Sequence, residues 1–178
     1  MTSVVPPFAL PSRSSPRGAE PLTVLLDEAP TTGDDTRGGL SAALRAVYDG
    51  DLGIPLRVDR PTVIANFVET LDGAVALDAH GHTDGGTVSG YSPTDRFVMG
   101  LLRAMADVVL VGAGTVRASG GTGWTPGRVY PPAADGYRDL RHRLGLAVEP
   151  VTLIATARGD LEPGHAAFRD PGLAIVIA

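Results

Sequence analysis

The chain contains no cysteine. That excludes disulfides, thiolate zinc sites and a cysteine nucleophile, and it suits a cytosolic protein. No apolar run approaches the roughly 18 residues of a membrane span. Acidic residues outnumber basic ones, 20 to 15, for a formal charge of -5. Bulk electrostatics therefore draw the chain neither to nucleic acid nor to anionic membranes. The N-terminus lacks a basic region, and Pro6 and Pro7 interrupt its short apolar patch, so it does not read as a signal peptide. Tryptophan occurs once, at Trp124.

What is there describes a globular α/β protein. The 178 residues suffice for one domain with a core, and 43% hydrophobic against 20% charged residues exclude a disordered chain. Residues 1–20, rich in Pro and Ser, read as a disordered tail. Residues 21–59 read as a lead-in: a short apolar run at 22–26, a polar loop at 31–39, and one or two helical turns at 40–48 with Leu44, Val47 and Tyr48 on one face. The organised domain is expected over 60–178.

Within that domain, TVIANF at 62–67 reads as a strand from its β-branched and apolar content, and Asp72-Gly73 as a turn. Residues 78–90 are glycine-rich loop. Ser92-Pro93-Thr94-Asp95 opens a helix: Ser92 is the N-cap, Pro93 takes the first helical position, and Asp95 is the acidic residue of a capping box. Phe97, Val98, Leu101, Leu102 and Met105 form its apolar stripe. Residues 108–111 read as a fully buried strand. The chain is then irregular from 123 to 136, helical over 137–146, and extended at 151–155 and 173–178. Strands alternating with helices predict a mostly parallel sheet. The last strand ends the chain without a covering helix, so the domain reads as cut short.

The stretch VVLVGAGTVR, residues 108–117, runs from an apolar strand into glycines. The dinucleotide fingerprint needs a third glycine where Arg117 stands, and no lysine follows as in a P-loop. The weaker reading survives: at the carboxyl end of a parallel strand, a Gly-x-Gly turn lets backbone N–H groups approach an anion, with Thr115 adding a hydroxyl and Arg117 a charge. A plain tight turn is the alternative.

Other candidates carry two readings each. Asp78, His80, His82 and Asp84 have metal-ligand spacing but sit among glycines, and read as a polar loop; no metal is expected. Glu69 and Asp72 follow the first expected strand at a ligand-bearing sheet edge; either they serve as a general acid or hydrogen-bond a heterocycle, or Asp72-Gly73 is only a turn. Asn66 within a strand suggests an amide aimed at a ligand or a loop. Arg103 either complements the helix dipole or grips a phosphate. Trp124 either covers a planar ring or packs on the surface.

Asn66-Phe67-Val68-Glu69-Thr70-Leu71-Asp72-Gly73, then Ser92-Pro93 opening a helix that ends Leu101-Leu102-Arg103-Ala104, then Val108-Val109-Leu110-Val111-Gly112-Ala113-Gly114-Thr115-Val116, occur in this order and spacing. Together they resemble the reductase domain of the riboflavin-biosynthesis deaminase-reductases, closest to its stand-alone pyrimidine reductase branch, from about residue 60 onward. The resemblance implies a dihydrofolate-reductase-like three-layer sandwich, incomplete at the C-terminus, and a cytoplasmic homodimer. It implies reduction of a ribosylamino-pyrimidine phosphate to its ribitylamino form with NADPH as cofactor. By position, Asp72 would be catalytic at the pyrimidine–nicotinamide pocket. Thr87, Arg103 and Asn66 would bind substrate, Arg103 through its phosphate. Thr70, Ser89, Gly112, Gly114, Thr115, Val116, Ser119, Thr156 and Arg158 would bind the cofactor, with Thr156 and Arg158 meeting its 2′-phosphate.

Departures stand beside the likeness. Ala118-Ser119-Gly120-Gly121 replaces the family's Ala-Asp-Asp-Pro and Asn66 stands where lysine is frequent; with no cysteine for the deaminase zinc site, the chain is expected to be reductase-only. The family's later Glu-x-Gly-Pro segment is expected beyond Ala178, so this form is expected to be inactive or barely folded. A dihydrofolate or pterin reductase of the same fold, and a non-catalytic nucleotide-binding fragment, are the alternative readings.

Overall fold

A computed structural model describes residues 18–23, 40–48, 50, 54, 59–75, 85–118, 123–170 and 174–178. In chain order its elements are α1 (Ala42–Arg45), α2 (Gly85–Val88), α3 (Pro93–Met105), β1 (Val108–Gly112), α4 (Ala113–Ala118), α5 (Pro126–Val129), α6 (Ala134–Arg143), β2 (Val151–Ala155) and β3 (Ile175–Ile177), with 3-10 turns at Pro131–Ala133 and Ala166–Phe168. The strands form a three-stranded sheet in the order β1-β2-β3. Both pairings are parallel, from Val108 opposite Val151 to Gly112 opposite Ala155, and from Thr152 opposite Ile175 to Ile154 opposite Ile177. The mixed α/β class and the parallel sheet are as the alternating pattern predicts, and agree with a dihydrofolate-reductase-like fold.

The long helix α3 begins where its caps place it. The Ser92 hydroxyl accepts from the Asp95 N–H at 3.3 Å, and Pro93 sits in the first turn. Phe97, Leu101, Ala104 and Met105 are buried along one face. The helix stops at Ala106, whose extended backbone leads into β1. The expected capping box is only half made: the Ser92 N–H donates to the Ser89 carbonyl, and the Asp95 carboxylate is hydrogen-bonded by Ser89 instead.

Two apolar clusters hold the protein. The helical one joins Leu40, Leu44, Phe97, Leu101, Ala104, Met105, Tyr130, Tyr137 and Leu140. The lead-in therefore contributes core residues, and it is tied further by Ala19 N–H to the Tyr130 hydroxyl (2.8 Å) and Glu20 N–H to the Thr94 hydroxyl (3.0 Å). The sheet cluster joins Val111, Ala113, Val116, Trp124, Ile154 and Ala167. Between helix and sheet stands Arg141, only 2% exposed. Its guanidinium donates to the carbonyls of Arg103, Ala104 and Ala106 at the end of α3, and to those of Ala147 and Val148 before β2. Burying a cation is tolerated here because five carbonyls receive its protons.

The structure corrects the sequence reading at particular places. Residues 62–67 form no strand; Phe67 is 80% exposed and residues 61–70 carry no ladder. Strand propensity without a partner does not make a strand, since propensity reports packing against neighbours. Strand β1 is not buried on both sides: Val111 is buried but Leu110 is 64% exposed, because among the described residues nothing covers the face that Leu110 presents. Residues 123–136 are not irregular. Pro126 and Pro131 each open a short helical turn, where a missing N–H costs nothing, and the next helix starts at Ala134 rather than 137 and ends at Arg143. Trp124 neither covers a ring nor lies on the surface, but is buried in the sheet cluster. Residues 85–88 of the expected loop make one helical turn, α2. The Asp78–Asp84 cluster lies outside the described residues.

Candidate functional site

Parallel pairing brings the carboxyl ends of β1 and β2 side by side, Gly112 opposite Ala155. The segments that follow each strand are therefore neighbours. After β1 the chain passes into α4 with no intervening loop: Gly112 ends the strand and Ala113 begins the helix. Val116 and Ala113 turn inward to the sheet cluster, which leaves Gly114 and Thr115 exposed. A Cβ placed at Gly112 or Gly114 would meet no atom within 4 Å. The backbone there is open to solvent, as close approach by a phosphate requires.

After β2, the Thr156 hydroxyl accepts from the backbone N–H groups of Arg158 (3.4 Å) and Gly159 (3.1 Å). This turn, with Gly159 at φ +66°, leaves Arg158 exposed at the same sheet edge. A side-chain bond closes the two segments on each other: the Arg117 guanidinium donates to the Asp160 carbonyl at 3.0 Å. Arg117 thus straps α4 to the segment after β2. The edge presents open backbone, the hydroxyls of Thr115 and Thr156, and the exposed guanidinium groups of Arg117 and Arg158. That donor set fits a nucleotide's phosphates.

A second group gathers before α3. Thr87 is 5% exposed and its hydroxyl lies 3.3 Å from that of Tyr91. Ser89 donates to the Gly86 carbonyl at 3.2 Å and also hydrogen-bonds Asp95. Burial pushes the Asp95 carboxyl above its ordinary value, opposed by the Ser89 bond and the Arg96 charge. Arg96 itself donates to the Val129 carbonyl at 2.8 Å. Sequence reasoning passed over Arg96 and Tyr91, since neither belongs to a motif. The positive φ of Tyr91 has no signature in a residue that rarely adopts it.

A third group is the turn at residues 70–73. The Gly73 N–H donates to the Thr70 carbonyl at 2.9 Å, with Gly73 at φ +91°. The Thr70 hydroxyl donates to the Asp72 carboxylate and accepts from the Ala74 N–H at 2.9 Å. Asn66 is exposed in the extended segment before it. Arg103 stands apart, at the end of α3 that leads into the amino end of β1, opposite the glycine edge. Its half-buried guanidinium has no partner among the described residues, and burial lowers its pKa. Ser119 lies outside the described residues. No group of three or more His, Asp or Glu suited to a metal occurs among the described residues, and no helix there is long and apolar enough to cross a membrane.

A parallel α/β sheet that exposes backbone and hydroxyls at the carboxyl ends of adjacent strands belongs to the class of α/β domains that place ligands at that edge. More specifically, the RibD C-terminal domain family matches residues 61–178. The chain belongs to that family, the reductase domain of riboflavin biosynthesis. Comparison with curated proteins and with solved structures gave no match.

Proposed function

We propose that the chain is an NADPH-dependent reductase of a ribosylamino-pyrimidine phosphate. One observation carries the cofactor half of this reading. The glycine edge after β1 and the Thr156–Arg158 turn after β2 lie on adjacent strands of one parallel sheet, inside the region that matches the family. NADPH would supply the hydride. Gly112, Gly114 and Thr115 would receive its pyrophosphate through open backbone and one hydroxyl, while Val116, buried in the sheet cluster, would anchor that edge. Arg158 and Thr156 would receive the 2′-phosphate, for which an arginine fork is better suited than for a hydroxyl.

The substrate half rests on the resemblance with support from local geometry. Thr87, Ser89 and Asn66 would contact the pyrimidine and the nicotinamide. Asp72 would hold or move a proton, with its carboxylate fixed by the Thr70 hydroxyl. Arg103 would bind the substrate phosphate as a guanidinium without a competing partner among the described residues. A cytoplasmic homodimer completes the proposal.

Calorimetric titration of NADPH into the purified chain, with NADH as control, tests this. Saturable binding that prefers NADPH is the expected result. A folded chain, by circular dichroism, that binds neither nucleotide would overturn the cofactor assignment. Oxidation of NADPH on adding the ribosylamino-pyrimidine phosphate, but not dihydrofolate, would separate this reading from the pterin alternative.

A further inference from the structure

The turn after β2 is fixed at its two ends and thinly held between them. At its start the Thr156 N–H donates to the Ala178 carbonyl at 2.8 Å, just past β3. At its end Leu161 packs against the sheet cluster. Within the turn the bonds are internal. The Thr156 hydroxyl accepts from the N–H groups of Arg158 and Gly159, and the Leu161 N–H donates to the Gly159 carbonyl at 2.9 Å. Among the described residues, the one hydrogen bond that joins residues 157–160 to another element is the bond from Arg117 to the Asp160 carbonyl. Arg158 lies in that stretch.

Arg117 has a firm base from which to hold it. It stands in the last turn of α4, next to Val116, which is buried in the same sheet cluster that receives Leu161. The helix is therefore seated on the sheet, and the guanidinium at its end reaches the turn. Its bond goes to backbone, so it constrains where the chain runs and not how one side chain points. A turn held in place before a ligand arrives gives up less conformational freedom on binding.

We propose that Arg117 is a positioning residue for cofactor specificity: through the Asp160 carbonyl it holds the turn that carries Arg158 against α4, and so keeps that guanidinium at the edge where a 2′-phosphate would be received. The inference rests on the proposed reading of this edge as the NADPH site, with Arg158 at the 2′-phosphate. Arg117 needs no contact with the cofactor in this role. What it controls is discrimination, because NADH and NADPH share the pyrophosphate and only NADPH carries the group assigned to Arg158.

Arg117→Met keeps an unbranched apolar stem and removes the donors. NADPH and NADH are titrated by calorimetry into wild type, Arg117→Met, Arg158→Ala and the double variant, with thermal unfolding of each. The expected result is an NADPH Kd raised roughly 3- to 10-fold by Arg117→Met, the effect of one hydrogen bond, with the NADH Kd within about twofold of wild type. In the Arg158→Ala background Arg117→Met should add nothing further for NADPH, because the turn then carries no guanidinium to position. The unfolding midpoint should stay within about 2 °C of wild type, as for a bond at an exposed surface. Equal losses for both nucleotides would overturn the proposal. They would make Arg117 a contact to the shared pyrophosphate or, with a lowered midpoint, a support of the fold. An NADPH loss that persists in the Arg158→Ala background would also overturn it, since Arg117 would then act on the phosphate through its own charge. So would NADPH binding unchanged by Arg117→Met while Arg158→Ala weakens it; the cofactor reading would then stand without the strap. If wild type binds neither nucleotide, or Arg158→Ala binds NADPH as wild type does, the cofactor reading fails and this inference fails with it.

Discussion

The phenol ring of Tyr137 lies against Gly100 so closely that a Cβ on that glycine would sit 2.6 Å from three of its atoms. This contact joins α6 to the middle of α3, and the Tyr137 hydroxyl completes it by donating to the Phe97 carbonyl at 2.8 Å. In an ordinary helix interior, Gly→Ala gains about 1 kcal/mol. Here the added methyl meets a buried ring held on both sides, and overpacking costs about 1–3 kcal/mol. Gly100→Ala should therefore lower the urea midpoint of unfolding. A raised midpoint would mean that the ring withdraws without penalty.

Arg141 receives a prediction of opposite origin, since its loss removes donors rather than adding bulk. Arg141→Met keeps most of the apolar stem but orphans carbonyls at the end of α3 and before β2. Leaving buried acceptors unpaired costs about 1–3 kcal/mol each where water cannot reach them. A loss of about 3 kcal/mol is expected by chemical denaturation. Arg141→Lys should recover only part of it, because an ammonium lacks the planar fork that reaches both segments. Full recovery with lysine would reduce the contact to simple charge.

The pH dependence should carry an unusual component. Burial raises the carboxyl pKa of Asp95, opposed by Ser89 and Arg96, and that of Glu149, opposed by Arg141, Arg138 and Arg128. A carboxyl with a folded pKa above its unfolded value binds its proton more tightly in the folded state. Its contribution is full below the unfolded value of about 4 and is lost as pH rises through the folded value. The stability of Asp95→Asn and Glu149→Gln relative to wild type should therefore improve as pH is raised from about 4 toward neutrality. Denaturation midpoints across that range check it, and a relative stability that worsens with pH would contradict the sign.

Arg158 tests the cofactor reading from the specificity side. Its guanidinium is exposed beyond β2, and the backbone under it is set by the Thr156 hydroxyl. Arg158→Ala should weaken NADPH binding roughly 10- to 100-fold, the effect of losing a charge-assisted hydrogen bond, and leave NADH binding nearly unchanged. Equal losses for both nucleotides would place Arg158 away from the 2′-phosphate.

Much of the fold is legible where the signal is local. Ser92, Pro93 and the stripe through Phe97, Leu101 and Met105 define α3 because caps and a 3.6-residue period act within a few turns. Strand β2 is legible for a similar reason, as five apolar or β-branched residues between breakers. The proline-rich stretch after Gly123 was not, because Pro126 and Pro131 mark helix starts as readily as loops. Of the candidate site, the glycine edge and the Thr156–Arg158 turn were visible as separate pieces. Arg117, which links them through Asp160, was visible only as a charge.

By itself the sequence determined the family, the α/β class, the parallel sheet and the positions of its strongest helix and three strands, since order, spacing and local periodicity carry that information. The tertiary structure decided which of those elements find partners. It left residues 62–67 without a neighbouring strand and Leu110 of β1 in solvent, and drew Trp124 and Arg141 into the interior. It also joined Tyr91 to Thr87 through a left-handed backbone. Burial and pairing depend on residues distant in the chain, and no local pattern encodes which distant surface will arrive.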